Sequence, residues 1–152
     1  MGPSSVHAPP GGFDVIDESY NASPAAVRAA FAALALAAPG AGGRRVVVLG
    51  DMLELGDRAE DDHAALADDF VAARLDRAHA VGPESRGFMT ALPAEARGRW
   101  AENADELAAH VEEIAGPGDV VLVKGSLGMG MARVVKALEA LGAKERGAAH
   151  AV

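Results

Sequence analysis

VVLVKGSLGMGMARVVKALEALG, residues 120–142, runs from an unbroken apolar stretch through a lysine and a small-residue turn into a helical repeat. Four apolar residues before Lys124 read as a strand covered on both faces. Met131, Val134, Val135, Leu138 and Leu141 then recur at the spacing of one helical face. A strand passing directly into a helix is the unit of an alternating α/β chain, and the same unit recurs upstream.

FDVID (13–17) reads as a first strand, followed by Ser23 as N-cap and Pro24 at the first helical position. Val27, Ala30, Phe31 and Leu34 share one face of the helix that follows, and Pro39-Gly40 stops it. RRVVVLGD (44–51) is a second strand, with a helix expected near 59–74 carrying Leu66, Phe70 and Ala73 inward. RAHAVG (77–82) is a third strand and precedes a short helix near 84–91. RGRWAEN (97–103) is a fourth; Asn103 with Glu106 is a capping-box variant opening a helix with Leu107, Val111 and Ile114 on one face. Gly116-Pro117 ends that helix, DVVLVK (119–124) is the fifth strand, and Gly142 is expected to close the last helix. The alternation predicts a Rossmann-like three-layer sandwich: a mostly parallel sheet with helices on both faces, spanning residues 13–142. Residues 1–12, rich in Gly, Pro and Ser, read as a linker or expression remnant, and 143–152 as a loose tail.

With 152 residues the chain is one domain, long enough to bury a core without a metal or disulfide staple. It has no cysteine, which excludes disulfides and thiolate metal sites and permits a reducing cytosol. A formal charge of −8 argues against a nucleic-acid or acidic-membrane surface, because phosphate backbones reward Lys and Arg. The longest apolar stretch, residues 29–38, is far short of the ~20 residues that span a bilayer.

A parallel sheet of this kind places ligands beyond the carboxyl ends of its strands. The polar residues there are Asp17, Glu18, Tyr20 and Asn21 after the first strand, Asp51 after the second, and Lys124, Gly125 and Ser126 after the fifth. Lys124 precedes its glycines, so the segment is not the phosphate loop G-x-x-x-x-G-K-[ST]. Gly128 and Gly130 start a G-x-G-x-x-G spacing, but Arg133 breaks it. Lys124 is either an edge charge or, with Gly125-Ser126 and the next helix, a site for a carboxylate or phosphate. Asp17 to Asn21 is either a polar turn, a cation site at Asp17-Glu18, or a stacking face with acceptors for ribose hydroxyls. Met52, Leu53 and Leu55 after Asp51 make that loop unusually apolar and read as core tucked beneath it. His63, among acids at a helix start, reads as a cap or surface residue rather than a metal ligand.

DESYNASP (17–24), VVVLGDMLELG (46–56) with His63 downstream, and LVKGS (122–126) before a Met-containing helix occur together in the order seen in one family. The chain resembles the C-terminal domain of the MurF ligases, the UDP-N-acetylmuramoyl-tripeptide–D-alanyl-D-alanine ligases of peptidoglycan synthesis, from Phe13 to about Gly142. The resemblance implies a bacterial cytoplasmic enzyme whose N-terminal domain holds the UDP-sugar and whose central domain holds ATP and Mg2+. A substrate carboxylate is phosphorylated, and the amine of D-alanyl-D-alanine attacks the acyl phosphate. On that resemblance Asp17, Tyr20 and Asn21 lie near the nucleoside, and Asp51 with the Met52–Leu55 loop faces the central domain. Lys124 and Ser126 approach the dipeptide or the charge developing in acyl transfer. The isolated domain is then expected to be inactive.

Two departures stand out. Many members carry Arg after Lys-Gly-Ser, where this chain has Leu127, and the acidic residue usual after the helix methionine is Ala132. Arg133 reaching back is one way to restore the missing cation. A phospho-receiver domain also has five strands, paired acids and a lysine, but needs an Asp after the third strand, which here ends AHAVG. A non-catalytic nucleotide-binding module is the other alternative.

Overall fold

The computed structural model describes residues 4–6 and 12–150. Its strands are β1 (Ser4–Val6), β2 (Asp14–Glu18), β3 (Arg45–Gly50), β4 (Arg77–Val81), β5 (Arg97–Ala101) and β6 (Val120–Lys124). The helices are α1 (Pro24–Ala35), α2 (Ala59–Ala72), α3 (Arg86–Ala91), α4 (Ala104–Ala108) and α5 (Ala132–His150). They form one sheet in the order β1-β2-β6-β3-β4-β5, parallel throughout except for β1, which runs antiparallel to β2.

The two central strands confirm the rule that a strand covered on both faces shows no alternation. Val46 to Leu49 on β3 and Val121 to Val123 on β6 are closed off from solvent, and helices pack on each side. Val27, Phe31 and Leu34 of α1, Leu66 and Phe70 of α2, and Phe88 of α3 pack on one face of the sheet. Phe31, Phe70 and Phe88 form a ring cluster with centroids 6.1–6.3 Å apart, and Phe70 meets the other two edge-on. Leu107 of α4 with Met131, Val134 and Leu138 cover the other face. The Ser23 hydroxyl accepts from the Ala26 amide (3.2 Å) and the Asn103 side-chain Oδ1 from the Glu106 amide (2.9 Å), so both expected caps form.

Several expectations change. Helix α4 is only five residues, and Val111–Glu113 is a separate 3-10 turn, because the helical repeat there is short and followed by Gly116-Pro117. Helix α5 does not stop at Gly142 but runs through the stretch expected as a loose tail to His150, since Ala, Lys and Glu sustain a helix across Gly142 and Gly147. Of the expected linker, residues 4–6 instead add an edge strand, while 1–3 and 7–11 lie outside the described residues, as do 151–152 of the tail. Numbered along the chain, the five parallel strands lie in the order 1-5-2-3-4 rather than the 2-1-3-4-5 of receiver domains, which removes that alternative.

Candidate functional site

Connections set the site. The helices after β2 and β3 leave toward the α1 face, whereas the helix after β6 leaves toward the opposite face. β6 lies between β2 and β3, so the loops diverge around its carboxyl end and leave the crevice such sheets use for ligands. Lys124 stands at that end.

Register brings Glu18 directly opposite Lys124 on the neighbouring strand. Both side chains continue the alternation of Ile16 and Leu122, which point to the α1 face. Lys124 Nζ donates to Glu18 Oε1 at 3.0 Å and to Asn21 Oδ1 at 2.9 Å. The lysine is 1% exposed, so its charge is held by these acceptors rather than by water. That is the requirement for a buried cation, whose desolvation only close pairing offsets. An ammonium has three donors, so among the described residues one N–H remains beyond these two bonds. Glu18, less prominent in the sequence reading, is thus the central partner; no local pattern announces it, because the pairing depends on strand register.

The other predicted residues divide. Asp17 Oδ1 accepts from the Ser19 amide (2.9 Å) and hydroxyl (2.6 Å), folding the turn after β2. Tyr20, in the same turn, is 42% exposed. Asp51 is 2% exposed and does not face outward as expected. Its carboxylate accepts from the Glu84 amide (3.1 Å) and from the Ser85 amide and hydroxyl (both 2.7 Å), tying the loop after β3 to the turn before α3. Gly82, at φ 104°, makes room: a Cβ there would lie 2.4 Å from Asp51 Cγ. Ser126 Oγ accepts from the Leu53 amide (2.9 Å) and so joins the loop after β6 to the loop after β3.

The same loops rest on a residue the sequence reading undervalued. His63 is fully buried on α2, not at the surface. Its Nε2 accepts from the Met52 amide at 2.8 Å, which places the ring proton on Nδ1, 2.6 Å from the Ala59 carbonyl. Both nitrogens are occupied inside the protein, which suits a loop anchor and not a metal ligand. Met52 joins the core and Leu55 packs partly against it, whereas Leu53 and Leu127 remain exposed at the rim, Leu127 by 74%. Arg133 does not reach back; Nη1 lies 3.0 Å from Asp105 Oδ2 on α4.

Comparison with known proteins matches residues 5–127 to the family described as Mur ligase, glutamate ligase domain. The chain is 34% identical over 131 residues to the UDP-N-acetylmuramoyl-tripeptide–D-alanyl-D-alanine ligase of Bacillus subtilis (strain 168), covering 84% of this chain and 28% of that protein. It is 34% identical over 127 residues to the ligase of the same description from Escherichia coli (strain K12), covering 82% and 26%. Among solved structures it resembles the MurF ligase from Thermotoga maritima in complex with ADP, with TM-score 0.70 and 27% identity over 91% of this chain and 33% of that one. MurF from Acinetobacter baumannii gives TM-score 0.73 and 25% identity over 90% of this chain and 29% of that one. The chain therefore spans about a quarter to a third of the length of these relatives, 26% to 33%.

Proposed function

Because the chain belongs to the Mur ligase family, as its glutamate ligase domain, we propose that it is the closing domain of a MurF-type enzyme. The reaction joins D-alanyl-D-alanine to the UDP-N-acetylmuramoyl tripeptide at the expense of ATP. In this reading ATP and Mg2+ are held mainly by a central domain, and the UDP-sugar by an N-terminal one, in the bacterial cytoplasm. Among the described residues no helix is long and apolar enough to cross a membrane.

The observation that carries the proposal is the gathering of Lys124, Glu18 and Asn21 at the divergence of the loops, drawn from two of the segments that mark the family. Glu18 and Asn21 hold the ammonium in place, and its remaining N–H is directed to the carboxylate of the dipeptide or to the oxygen that gains charge as the amine attacks. A fixed cation of this kind needs no reorganisation as charge develops. Tyr20 supplies an exposed aromatic face for the nucleoside, and Asp17 keeps Oδ2 for a ribose hydroxyl while Oδ1 folds the turn. Asp51 and Ser126 act one step removed, fixing the loops that carry Leu53 and Leu127 toward the central domain.

A chimera tests this. The chain replaces the matching segment of the B. subtilis relative, and phosphate release is measured with ATP, tripeptide substrate and D-alanyl-D-alanine. The expected result is dipeptide-dependent release by the chimera, none by the 152-residue chain alone, and a loss of about a hundredfold or more in kcat for Lys124→Ala. A folded chimera that is inactive, or one indifferent to Lys124→Ala, overturns the assignment.

A further inference from the structure

Away from Lys124, and independent of the ligase reading, β4 and β5 hold a second polar site near the sheet edge. The ladder slips there by one residue: Ala78 pairs with Arg97, but Ala80 pairs with Trp100. Bulges are rare between parallel strands, and they re-aim the groups around them. This one directs the Arg99 amide to His79 Nδ1 at 2.9 Å. It also demands Gly98, since a Cβ at that position would lie 2.4 Å from His79 Cε1.

The chemistry follows from the proton. With Nδ1 accepting, a neutral imidazole carries its hydrogen on Nε2. His79 is held neutral: burial first, then the Arg77 and Arg44 charges, lower its pKa from 6.5 to about 4, with Glu113 pulling weakly upward and Arg99 adding to the lowering. Nε2–H is therefore a donor, and it is buried without a partner. The same is true of Arg99 Nε, and among the described residues these two are the buried side-chain polar atoms left unsatisfied. Native interiors rarely leave such donors unmet, so each asks for an acceptor.

Both residues line one cavity of about 360 Å3, with Arg77, Arg97, Gly98 and Glu113. Its charge is three guanidiniums against one carboxylate, in a chain whose formal charge is −8. Glu113 places both oxygens on Arg99 Nη2, at 3.1 and 2.8 Å, and leaves Nε outside the pair. Glu113 also meets His110 Nδ1 at 3.2 Å. Arg97 is engaged by the Leu92 and Thr90 carbonyls, and Arg77 by one bond to the Arg97 carbonyl. The unmet donors thus come from His79 and Arg99, with Arg77 beside them.

We propose that this cavity is a binding site for a phosphoryl-type oxyanion, held by Arg77, Arg99 Nε and His79 Nε2–H, which enters as the Glu113 carboxylate swings off Arg99. Donors from three separate side chains suit an anion with three free oxygens, whereas a planar carboxylate presents two.

The test is titration of the isotope-labelled 152-residue chain with inorganic phosphate, and separately with acetate, followed by NMR. Phosphate is expected to shift the Gly98, Arg99 and Glu113 amides and to raise the His79 pKa above its starting value of about 4. Arg77→Ala and Arg99→Ala should each weaken phosphate about tenfold or more, as loss of a charge-assisted bond does. Glu113→Ala, which removes the competing carboxylate, should tighten it. Absence of these shifts with phosphate, equal response to acetate, or weaker binding in Glu113→Ala overturns the proposal. Arg77→Ala keeps the test decisive if Arg99→Ala fails to fold, because it removes one side-chain bond to the Arg97 carbonyl and leaves the Arg99 amide on His79 in place.

Discussion

Acid should unfold this protein partly through His79. The imidazole is 2% exposed, and its pKa falls from 6.5 in the unfolded chain to about 4 in the fold. A lowered folded pKa means that the folded state resists the proton. Its stabilising contribution is complete above about pH 6.5 and is lost progressively as pH falls toward about 4. At about 1.36 kcal/mol per unit, linkage gives a loss of about 2 kcal/mol by pH ~5 and about 3 kcal/mol by pH ~4. Against a total of roughly 5–15 kcal/mol for a domain, that is a large share. Carboxylates titrate over the same range, so the measurement is a difference. Urea unfolding at about pH 7, 5 and 4 compares the protein with His79→Gln, whose Oε1 can still take the Arg99 amide while the titration is gone. Chloride and a buffer free of oxyanions keep the neighbouring cavity out of the comparison. The native protein should lose about 3 kcal/mol more than the variant between the extremes. Parallel pH profiles for the two would refute the reasoning and mean that His79 charges freely within the fold.

The two partners of the central ion pair should not be equivalent. Glu18→Ala strands an ammonium that is 1% exposed and should cost about 3 kcal/mol, whereas Lys124→Met leaves a carboxylate on an 18%-exposed side chain and should cost about 1 kcal/mol, both read by urea unfolding at neutral pH; the reverse order would deny that Lys124 is the desolvated member. Asp51→Asn should lower stability by about 2 kcal/mol in thermal unfolding, because three donors converge on that carboxylate and an amide offers one acceptor oxygen; a neutral result would mean that the turn before α3 finds other partners.

What could be read from the chain alone was whatever local sequence encodes. The unbroken run of Val46 to Leu49 announced a strand buried on both faces, and Val27, Phe31 and Leu34 announced the inward stripe of α1. Ser23 and Asn103 marked helix starts because a cap acts on amides two or three residues away. The family segments were legible for the same reason, and with them the polar strand ends that carry Asn21 and Lys124. Tertiary structure alone decided which groups meet. Glu18 faces Lys124 because β6 inserts between β2 and β3, a pairing 106 residues apart that no local periodicity encodes. Asp51 became an inner cap instead of an outward contact, and His63 a loop anchor instead of a cap or surface residue, because elements distant in sequence closed over them. His79 shows the limit most plainly: as one letter in RAHAVG it is unremarked, and a single-residue slip against β5 gives it a fixed proton and an unmet donor. Propensity and capping act over a few residues, whereas register, burial and the charge a group carries are properties of the packed whole.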